Sequence, residues 1–365
     1  MFLERIWPTN KAKYKCILPE QMHTIDINNF ASLPTLNTCA LDQHINIQRF
    51  SARYLAGGIC LKEGRTVSRR RLALCALNLA PEDYLANLVH KQIQRYVNAI
   101  NQFSNNKASL ALLCQLQAQL TNSDKQNGHI RTVQNWLGGS SPDKAHFVPP
   151  PAEYLPPLVD DLLQFINTQK PLELAHIIAA SNQLIVLHPF VDGNGRLQRA
   201  FTDSLLAMQT GHPASYISPF LYRLGHNHSG YHSTPTAMLQ GDWSQVTSFW
   251  HDAINWSNEA SIWLLNTVQH LQRTLRVSLA LRPVTPAMTS ILSLLINHPL
   301  LTVQYTLAQT QHAVADIQLA LDTLVEFGLL QRYQLRQPMH TVIYECKLVF
   351  DAYLAMDEHL FSNDM

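Results

Sequence analysis

The chain of 365 residues is long enough for two domains and a small third one, at roughly 150 residues per domain. Its 27 Lys and Arg residues nearly balance its 26 Asp and Glu residues, and the net charge of +1 excludes a generally basic nucleic-acid coat protein. Only 13 glycines occur, which favours a mainly α fold.

The expected location rests on patterns that the sequence lacks. No apolar run reaches the roughly 18 residues that a membrane helix needs, and the N-terminal segment has no hydrophobic signal region. The six cysteines form no CxxC pair, which is typical of reduced thiols. We therefore expect a cytoplasmic protein with no membrane partner.

The N-terminal third divides into two parts. Residues 1–50 are predicted to be irregular, because they contain several prolines and little periodicity. Residues 51–120 are predicted to be helical, because Leu and Ala recur near the spacing of about 3.6 residues. Within that region, Pro81 followed by Glu82 and Asp83 marks a helix start.

Residues 121–270 are predicted to be a helical core with one β-like insertion. The segment RTVQNWLGG at residues 131–139 follows a turn-rich stretch and precedes a proline-rich connector, which predicts a small β-hairpin flap. Helical patterns follow at residues 158–168, 172–187 and 197–208. The loop HPFVDGNGR separates the helical segments 172–187 and 197–208.

Residues 282–350 have the element order of a winged helix-turn-helix. A helix, a short element and a second helix ending at Gly328 precede two β-like segments at residues 329–335 and 341–346. Residues 351–365 are predicted to be a C-terminal tail.

The loop before residue 197 is typical of an anion site. Gly193 and Gly195 flank Asn194 at a loop-to-helix junction, where successive backbone N–H groups form a nest for anions. The free N–H groups of the following helix add to it. Arg196 and Arg199 lie three residues apart on one face of that helix, so the segment predicts a polyphosphate site.

Two further side chains complete this site. His188 has an ordinary pKa of about 6.5 and can accept a proton at neutral pH. Asp192 offers the single carboxylate that Mg²⁺ often takes together with substrate phosphates. A base, a metal carboxylate, a nest and two arginines predict attack on a phosphate group.

The segment HPFVDGNGRLQR resembles the signature of the Fic domain family, H-P-F-x-(D/E)-G-N-G-R-x-x-R, at every specified position. The flap-like segment 131–139 and FVPPP after it also resemble the family, and the resemblance covers roughly residues 50–260. It implies a Fic-type helical bundle with a β-hairpin flap, followed by the winged helix that often accompanies it.

The resemblance implies a protein adenylyltransferase that moves AMP from ATP to a Ser, Thr or Tyr hydroxyl of a target protein and releases pyrophosphate. His188 would be the general base and Asp192 would hold Mg²⁺. Gly193, Asn194 and Gly195 would cradle the α- and β-phosphates. The leaving phosphates and the γ-phosphate would be bound by Arg196 and Arg199.

The resemblance also implies contacts to the nucleoside and the target. Tyr231 stands near an aromatic residue that holds adenosine in the family, although His232 replaces the second aromatic. The flap would bind the target segment by strand-like pairing. Its candidate residues are Thr132, Val133, Gln134, Asn135, Trp136 and Leu137.

Glu63 is a candidate inhibitory residue. Many family members carry the motif (S/T)-x-x-x-E-(G/N), whose glutamate pairs with the second arginine of the signature. Here Glu63 and Gly64 are present, but Ile59 replaces the Ser or Thr. The resemblance therefore implies an inhibitory helix within residues 51–120, by which Glu63 restrains Arg199.

Several alternatives remain open at this point. The chain could be a nucleotide-sensing winged-helix regulator without turnover, a Fic enzyme that uses another nucleotide, or an enzyme in which Glu63 positions water to remove AMP. Self-modification and a homodimer are further expectations. The few basic residues of the winged helix make DNA binding less favoured than protein docking.

Overall fold

A computed structural model describes residues 1–30, 33–36, 67–121, 128–211, 230–335 and 340–361. Most of these residues are helical, which confirms the prediction of a mainly α fold. The helices, numbered in chain order, are α1 (Arg69–Ala76), α2 (Tyr84–Ser104), α3 (Leu110–Leu120), α4 (Leu155–Thr168), α5 (Leu174–Leu187), α6 (Asn194–Thr210), α7 (Gly230–Leu239), α8 (Trp243–Val277), α9 (Pro286–Leu295), α10 (Val303–Gln309), α11 (Val314–Glu326) and α12 (Lys347–Phe361). The strands are β1 (Phe2–Ile6), β2 (Lys13–Ile17), β3 (Leu300–Leu301), β4 (Gln331–Gln334) and β5 (Val342–Glu345). None of the described helices combines the length and apolar composition that crossing a bilayer requires.

The chain divides into two compact units, residues 1–36 with 95–257 and residues 37–94 with 258–365. The first unit takes in residues 95–120, which the sequence assigned to a separate region ending at residue 120. These residues pack against α6: the Tyr96 hydroxyl donates to Oδ2 of Asp203 at 2.5 Å, and the rings of Phe103 and Phe201 lie 5.3 Å apart.

Helices α5 and α6 lie at the centre of the first unit. Both are buried on almost every face, so their polar side chains must bond to each other. The Ser181 and Thr202 hydroxyls lie 2.7 Å apart, and Nε2 of Gln198 donates to Oγ of Ser181 at 2.7 Å. These buried bonds fix the two helices that carry the ends of the signature loop.

The N-terminal segment is not irregular at its start. Strands β1 and β2 form an antiparallel hairpin in which Phe2 pairs with Ile17 and Ile6 with Lys13. The prolines that suggested irregularity lie in the turn, at Pro8, and beyond β2, so they do not interrupt either strand.

The flap is more open than a regular hairpin. Its two limbs meet in an isolated β-bridge between Leu137 and Phe147, where the Leu137 N–H donates to the Phe147 carbonyl at 2.9 Å. Other carbonyls of the limbs accept from the side chains of Arg131 and Gln134. Side-chain bonds thus replace part of the backbone ladder.

In the second unit, α9, β3, α10 and α11 precede β4 and β5, and the three strands form an antiparallel sheet of order β3-β5-β4. These elements lie where the sequence predicted two helices, a short element and a β pair, and β3 adds a third strand. The predicted tail at residues 351–365 is instead largely the helix α12. Val349, Tyr353 and Met356 are buried along one face of α12, which explains why this end is ordered.

Candidate active site

His188 stands at the C-terminal end of α5. It caps the helix in the left-handed conformation, with φ 46° and ψ 55°, and its N–H donates to the Leu184 carbonyl at 3.2 Å. This backbone is uncommon for a residue with a Cβ, and such residues cluster at functional sites. The left-handed residue ends α5 and begins the signature loop.

The protonation of His188 suits a base. Burial lowers its pKa to about 4, a nearby Arg131 acts in the same direction, and the Ile185 carbonyl and Asp192 oppose the shift. The ring Nδ1 lies 3.3 Å from the Ile185 carbonyl oxygen. Because a carbonyl only accepts, Nδ1 carries the proton in that contact, and Nε2 keeps its lone pair. His188 is therefore neutral at pH 7.

The signature loop is closed by Asn194. Its Oδ1 accepts from the Phe190 N–H at 3.0 Å, and its Nδ2 donates to the Phe190 carbonyl at 2.7 Å. Asn194 is 3% exposed, so its side chain belongs to the loop itself. Of the cradle predicted for the phosphates, Asn194 can supply its backbone N–H only.

Gly193 sits where α6 begins, in close contact with the end of α3. Its φ of +80° is left-handed, and a Cβ built there would lie 2.2 Å from Cγ2 of Thr121. Nε2 of Gln117 donates to the Asp192 carbonyl at 2.8 Å, and Oε1 of Gln117 accepts from the Gly128 N–H at 2.7 Å. Helix α3 thereby holds the loop at Asp192 and Gly193.

The first N–H groups of α6 have no acceptor within the helix, because no helical turn precedes them. A helix end of this kind favours anions. Asp192 lies beside them with its side chain 70% exposed. Its Oδ1 accepts from the Gly193 N–H at 2.6 Å, and its Oδ2 accepts from Arg196 at 3.1 Å. The second guanidinium nitrogen of Arg196 donates to the Leu120 carbonyl at 3.1 Å.

Arg199 lies about one turn after Arg196 in α6, and Arg199 is only 5% exposed. A Cβ built on Gly195 would lie 3.6 Å from its Nη1, so the guanidinium stands over the first turn of the helix. The structure thus brings His188, Asp192, Arg196 and Arg199 to one loop and one helix end.

The flap residues are held to this loop. Nδ2 of Asn135 donates to the Phe190 carbonyl at 3.2 Å, and Nε2 of Gln134 donates to the Pro149 carbonyl at 3.0 Å. Thr132, Val133 and Leu137 are exposed. The Trp136 ring meets the Trp7 ring edge-on at 5.3 Å, so the N-terminal hairpin supports the flap.

An apolar cavity of about 350 Å³ lies between the flap and the helices. Leu137 and Phe147 of the flap line it together with Ile185 of α5, one turn before His188. Asn182 and Trp250 also line it, and neither Nδ2 of Asn182 nor Nε1 of Trp250 has a hydrogen-bond partner among the described residues. Both nitrogens are buried atoms of residues that line the cavity.

Some predicted residues lie outside what the structure describes, and some important ones were not predicted. Glu63 is outside the described residues, and Tyr231 lies in α7 with its side chain undescribed. Reasoning from the sequence missed Gln117, Thr121 and Arg131. Arg131 opens the segment RTVQNWLGG and could have been singled out there, whereas nothing in α3 indicated that Gln117 contacts a loop 75 residues away.

The site thus combines a neutral histidine, a helix N-terminus and two arginines. Residues 107–206 match the model of the Fic/DOC family, so the chain contains a Fic domain. This span includes the flap, the signature loop and most of α6.

Relatives and solved structures with similar chains carry Fic names. The chain is 34% identical over 100 residues to protein adenylyltransferase fic-1 of Caenorhabditis elegans, covering 26% of this chain and 18% of the relative. It is 22% identical over 215 residues to protein adenylyltransferase Fic of Aedes aegypti, covering 58% of this chain and 40% of the relative. The chain thus spans less than half the length of these relatives. A crystal structure of a Fic family protein from Desulfovibrio desulfuricans has 15% identity and a TM-score of 0.49, over 88% of this chain and 92% of that one.

Proposed function

We propose that the protein transfers AMP from ATP to a hydroxyl side chain of a target protein. One observation carries the proposal: a neutral His188, whose Nε2 keeps its lone pair, stands at one end of a loop whose other end is a helix N-terminus carrying Arg196 and Arg199. The names of the relatives agree with this activity.

The chemistry balances with the groups present. The target hydroxyl oxygen attacks the α-phosphorus of ATP, and its proton moves to Nε2 of His188. The bond from the α-phosphorus to the bridging oxygen breaks, and pyrophosphate leaves with the electron pair. The N-terminal N–H groups of α6 and the guanidinium of Arg196 stabilise the charge on the phosphates, and Arg199 holds the γ-phosphate.

Mg²⁺ fits this site as a partner of the nucleotide. No group of three His, Cys, Asp or Glu residues that could hold a metal alone exists in the described part of the chain. Asp192 is a single exposed carboxylate beside the phosphate nest, which is the arrangement Mg²⁺ uses when phosphates supply its other ligands. Bound there, the ion would neutralise charge on the phosphates.

The apolar cavity beside the flap is our candidate for the nucleoside base. Its volume of about 350 Å³ suits a small ligand, and it begins one turn before His188 on α5. The unpartnered donors of Asn182 and Trp250 could meet ring nitrogens or carbonyl oxygens of a base. The preferred base therefore depends on acceptors, which adenine supplies as ring nitrogens.

The target segment is expected to lie along the flap. Thr132, Val133 and Leu137 are exposed on it, and extended backbone can pair with an extended peptide with little demand on side chains. We retain Glu63 as the proposed restraint on Arg199, on the strength of the partial sequence motif. The expected effect of Glu63→Gly is faster transfer.

Protein docking is also the proposed role of the second unit. Helix α11 exposes Asp316 and Glu326, and Asp322 pairs with Arg332 at 3.1 Å. DNA binding needs several cations that contact phosphates, and α11 carries none. A protein surface is the better match for this helix.

The test is intact-mass spectrometry of the purified full chain after incubation with Mg²⁺ and ATP. Wild type, Glu63→Gly and His188→Ala are compared. We expect a gain of one AMP mass that increases in Glu63→Gly and disappears in His188→Ala. Nucleotide binding without any AMP gain in the first two proteins would contradict the proposal.

A further inference from the structure

Arg131 is a buried cation at the base of the flap. It is only 3% exposed, and all three of its guanidinium nitrogens donate to backbone carbonyls. Burial lowers its pKa to about 10, so it remains charged at neutral pH. A charged group is rarely buried in this way without a specific task for its hydrogen bonds.

Two of the acceptors belong to the end of α5. Nε of Arg131 donates to the His188 carbonyl at 2.9 Å, and Nη2 donates to the Leu187 carbonyl at 3.5 Å. Carbonyls in the last turn of a helix lack N–H donors within it, and a cation is favoured there. The backbone N–H of Arg131 also donates to the Pro189 carbonyl at 2.9 Å.

These bonds act on a residue whose conformation is unfavourable. His188 has φ 46°, and a non-glycine residue in that region is strained and persists only where its surroundings hold it. Arg131 bonds to the carbonyls of residues 187, 188 and 189, so it holds the backbone on both sides of the imidazole. The direction of the ring therefore depends on Arg131.

The other acceptors belong to the flap. Nη1 donates to the Val133 carbonyl at 2.9 Å, and Nη2 donates to the Pro150 carbonyl at 2.5 Å. Val133 lies on the limb that precedes the bridge and Pro150 on the limb that follows it. One planar fork thus connects both limbs of the flap to the residue that carries the base.

We propose that Arg131 is a positioning residue that holds the His188 backbone and the two flap limbs in one fixed arrangement. A target hydroxyl delivered by the flap then arrives at a set distance from Nε2 of His188. Arg131 makes no described hydrogen bond to residues 190–196, the part of the signature loop and first turn of α6 that we call the phosphate loop. Its loss should therefore affect transfer and leave nucleotide binding intact.

The inference rests on the proposed transfer activity, so the test has one arm that needs no activity. Hydrogen exchange, read by mass spectrometry, follows residues 131–150 and 185–192 in wild type, Arg131→Lys and Arg131→Met. Leu162→Ala is the matched control, because it destabilises the core of α4 without touching the site. In Arg131→Met we expect the amides of both segments to exchange faster than in wild type, and in Arg131→Lys we expect a smaller increase in both. In the Leu162→Ala control the ratio of the exchange rates of the two segments should stay as in wild type.

The second arm measures the rate of self-modification against ATP concentration. We expect the rate at saturating ATP to fall about 100-fold in Arg131→Met, since small displacements of a base have effects of that order. The ATP concentration for half-maximal rate and the affinity for ADP should stay within about threefold, which is below 1 kcal/mol. Arg131→Lys should keep an intermediate rate.

The outcomes separate the two proposals. Absence of AMP transfer by both wild type and Glu63→Gly contradicts the proposed function. Joint loss of exchange protection in the two segments still supports the role of Arg131 in that case. A folded Arg131→Met protein with wild-type rate and protection overturns that role. A parallel loss of ADP affinity overturns it too, because the phosphate loop would then have collapsed as well. If Arg131→Met does not fold, Arg131→Lys is judged by the same two measurements.

Discussion

The close contact between Gly193 and Thr121 permits a sharp test of how α3 holds the phosphate loop. In Gly193→Ala, the alanine must keep the backbone φ of +80°, and its Cβ would lie 2.2 Å from Cγ2 of Thr121. The left-handed backbone alone costs an Ala residue roughly 1–2 kcal/mol. The overlap adds about 1–3 kcal/mol, because real contacts of this kind force neighbours to move.

The matched control is Gly241→Ala. Gly241 has φ +74°, and its added Cβ would meet nothing within 4 Å among the described residues. It carries the backbone cost without the overlap. The difference in unfolding free energy between the two variants, measured by urea titration, should therefore be about 1–3 kcal/mol.

A second substitution isolates the overlap. Thr121→Ser removes Cγ2 and retains the hydroxyl that donates to the Gln117 carbonyl at 2.8 Å. The double variant Gly193→Ala/Thr121→Ser should recover most of the difference from the Gly241→Ala control. Equal stability of Gly193→Ala and Gly241→Ala, or no recovery in the double variant, would refute this account of the loop.

Three further predictions concern the base, the metal and the flap. The ring signals of His188, followed by NMR in the free protein, should titrate near pH 4, because burial opposes protonation. The neutral imidazole therefore persists well below pH 6.5. A titration midpoint near 6.5 would contradict the burial of the ring. Asp192→Asn should weaken ATP binding about tenfold or more in Mg²⁺, which corresponds to ~1.4 kcal/mol, and leave binding in a chelator nearly unchanged; calorimetry under both conditions decides this. Trp7→Ala should remove an edge-on contact with Trp136 that is worth about 0.5–1.5 kcal/mol, so hydrogen exchange of the flap should accelerate, and unchanged exchange would show that the hairpin does not support it.

The sequence predicted the parts of the molecule that depend on local pattern. The helices from Leu155 onward follow the apolar periodicity. The signature loop contained the candidate base, carboxylate and arginines within one short segment. These features are short in sequence, so their chemistry is visible in one stretch of residues.

Contacts between distant segments escaped prediction. The hydrogen bond from Gln117 to Asp192 joins residues 75 positions apart, and the hydrogen bond from Arg131 to His188 joins residues 57 positions apart. The hairpin of β1 and β2 was missed because prolines beside a strand look like prolines within one. Such features depend on which surfaces meet after folding, and a single sequence carries no direct signal of that.

The left-handed backbone at His188 sets the proposed base against the stability of the fold that carries it. A glycine at this position would adopt φ 46° without the penalty that a Cβ brings. Selection for a more stable protein alone would therefore favour loss of the histidine, and a search for thermostable variants would tend to return inactive ones. Any engineering of this domain for robustness should hold residue 188 fixed and draw its gains from elsewhere.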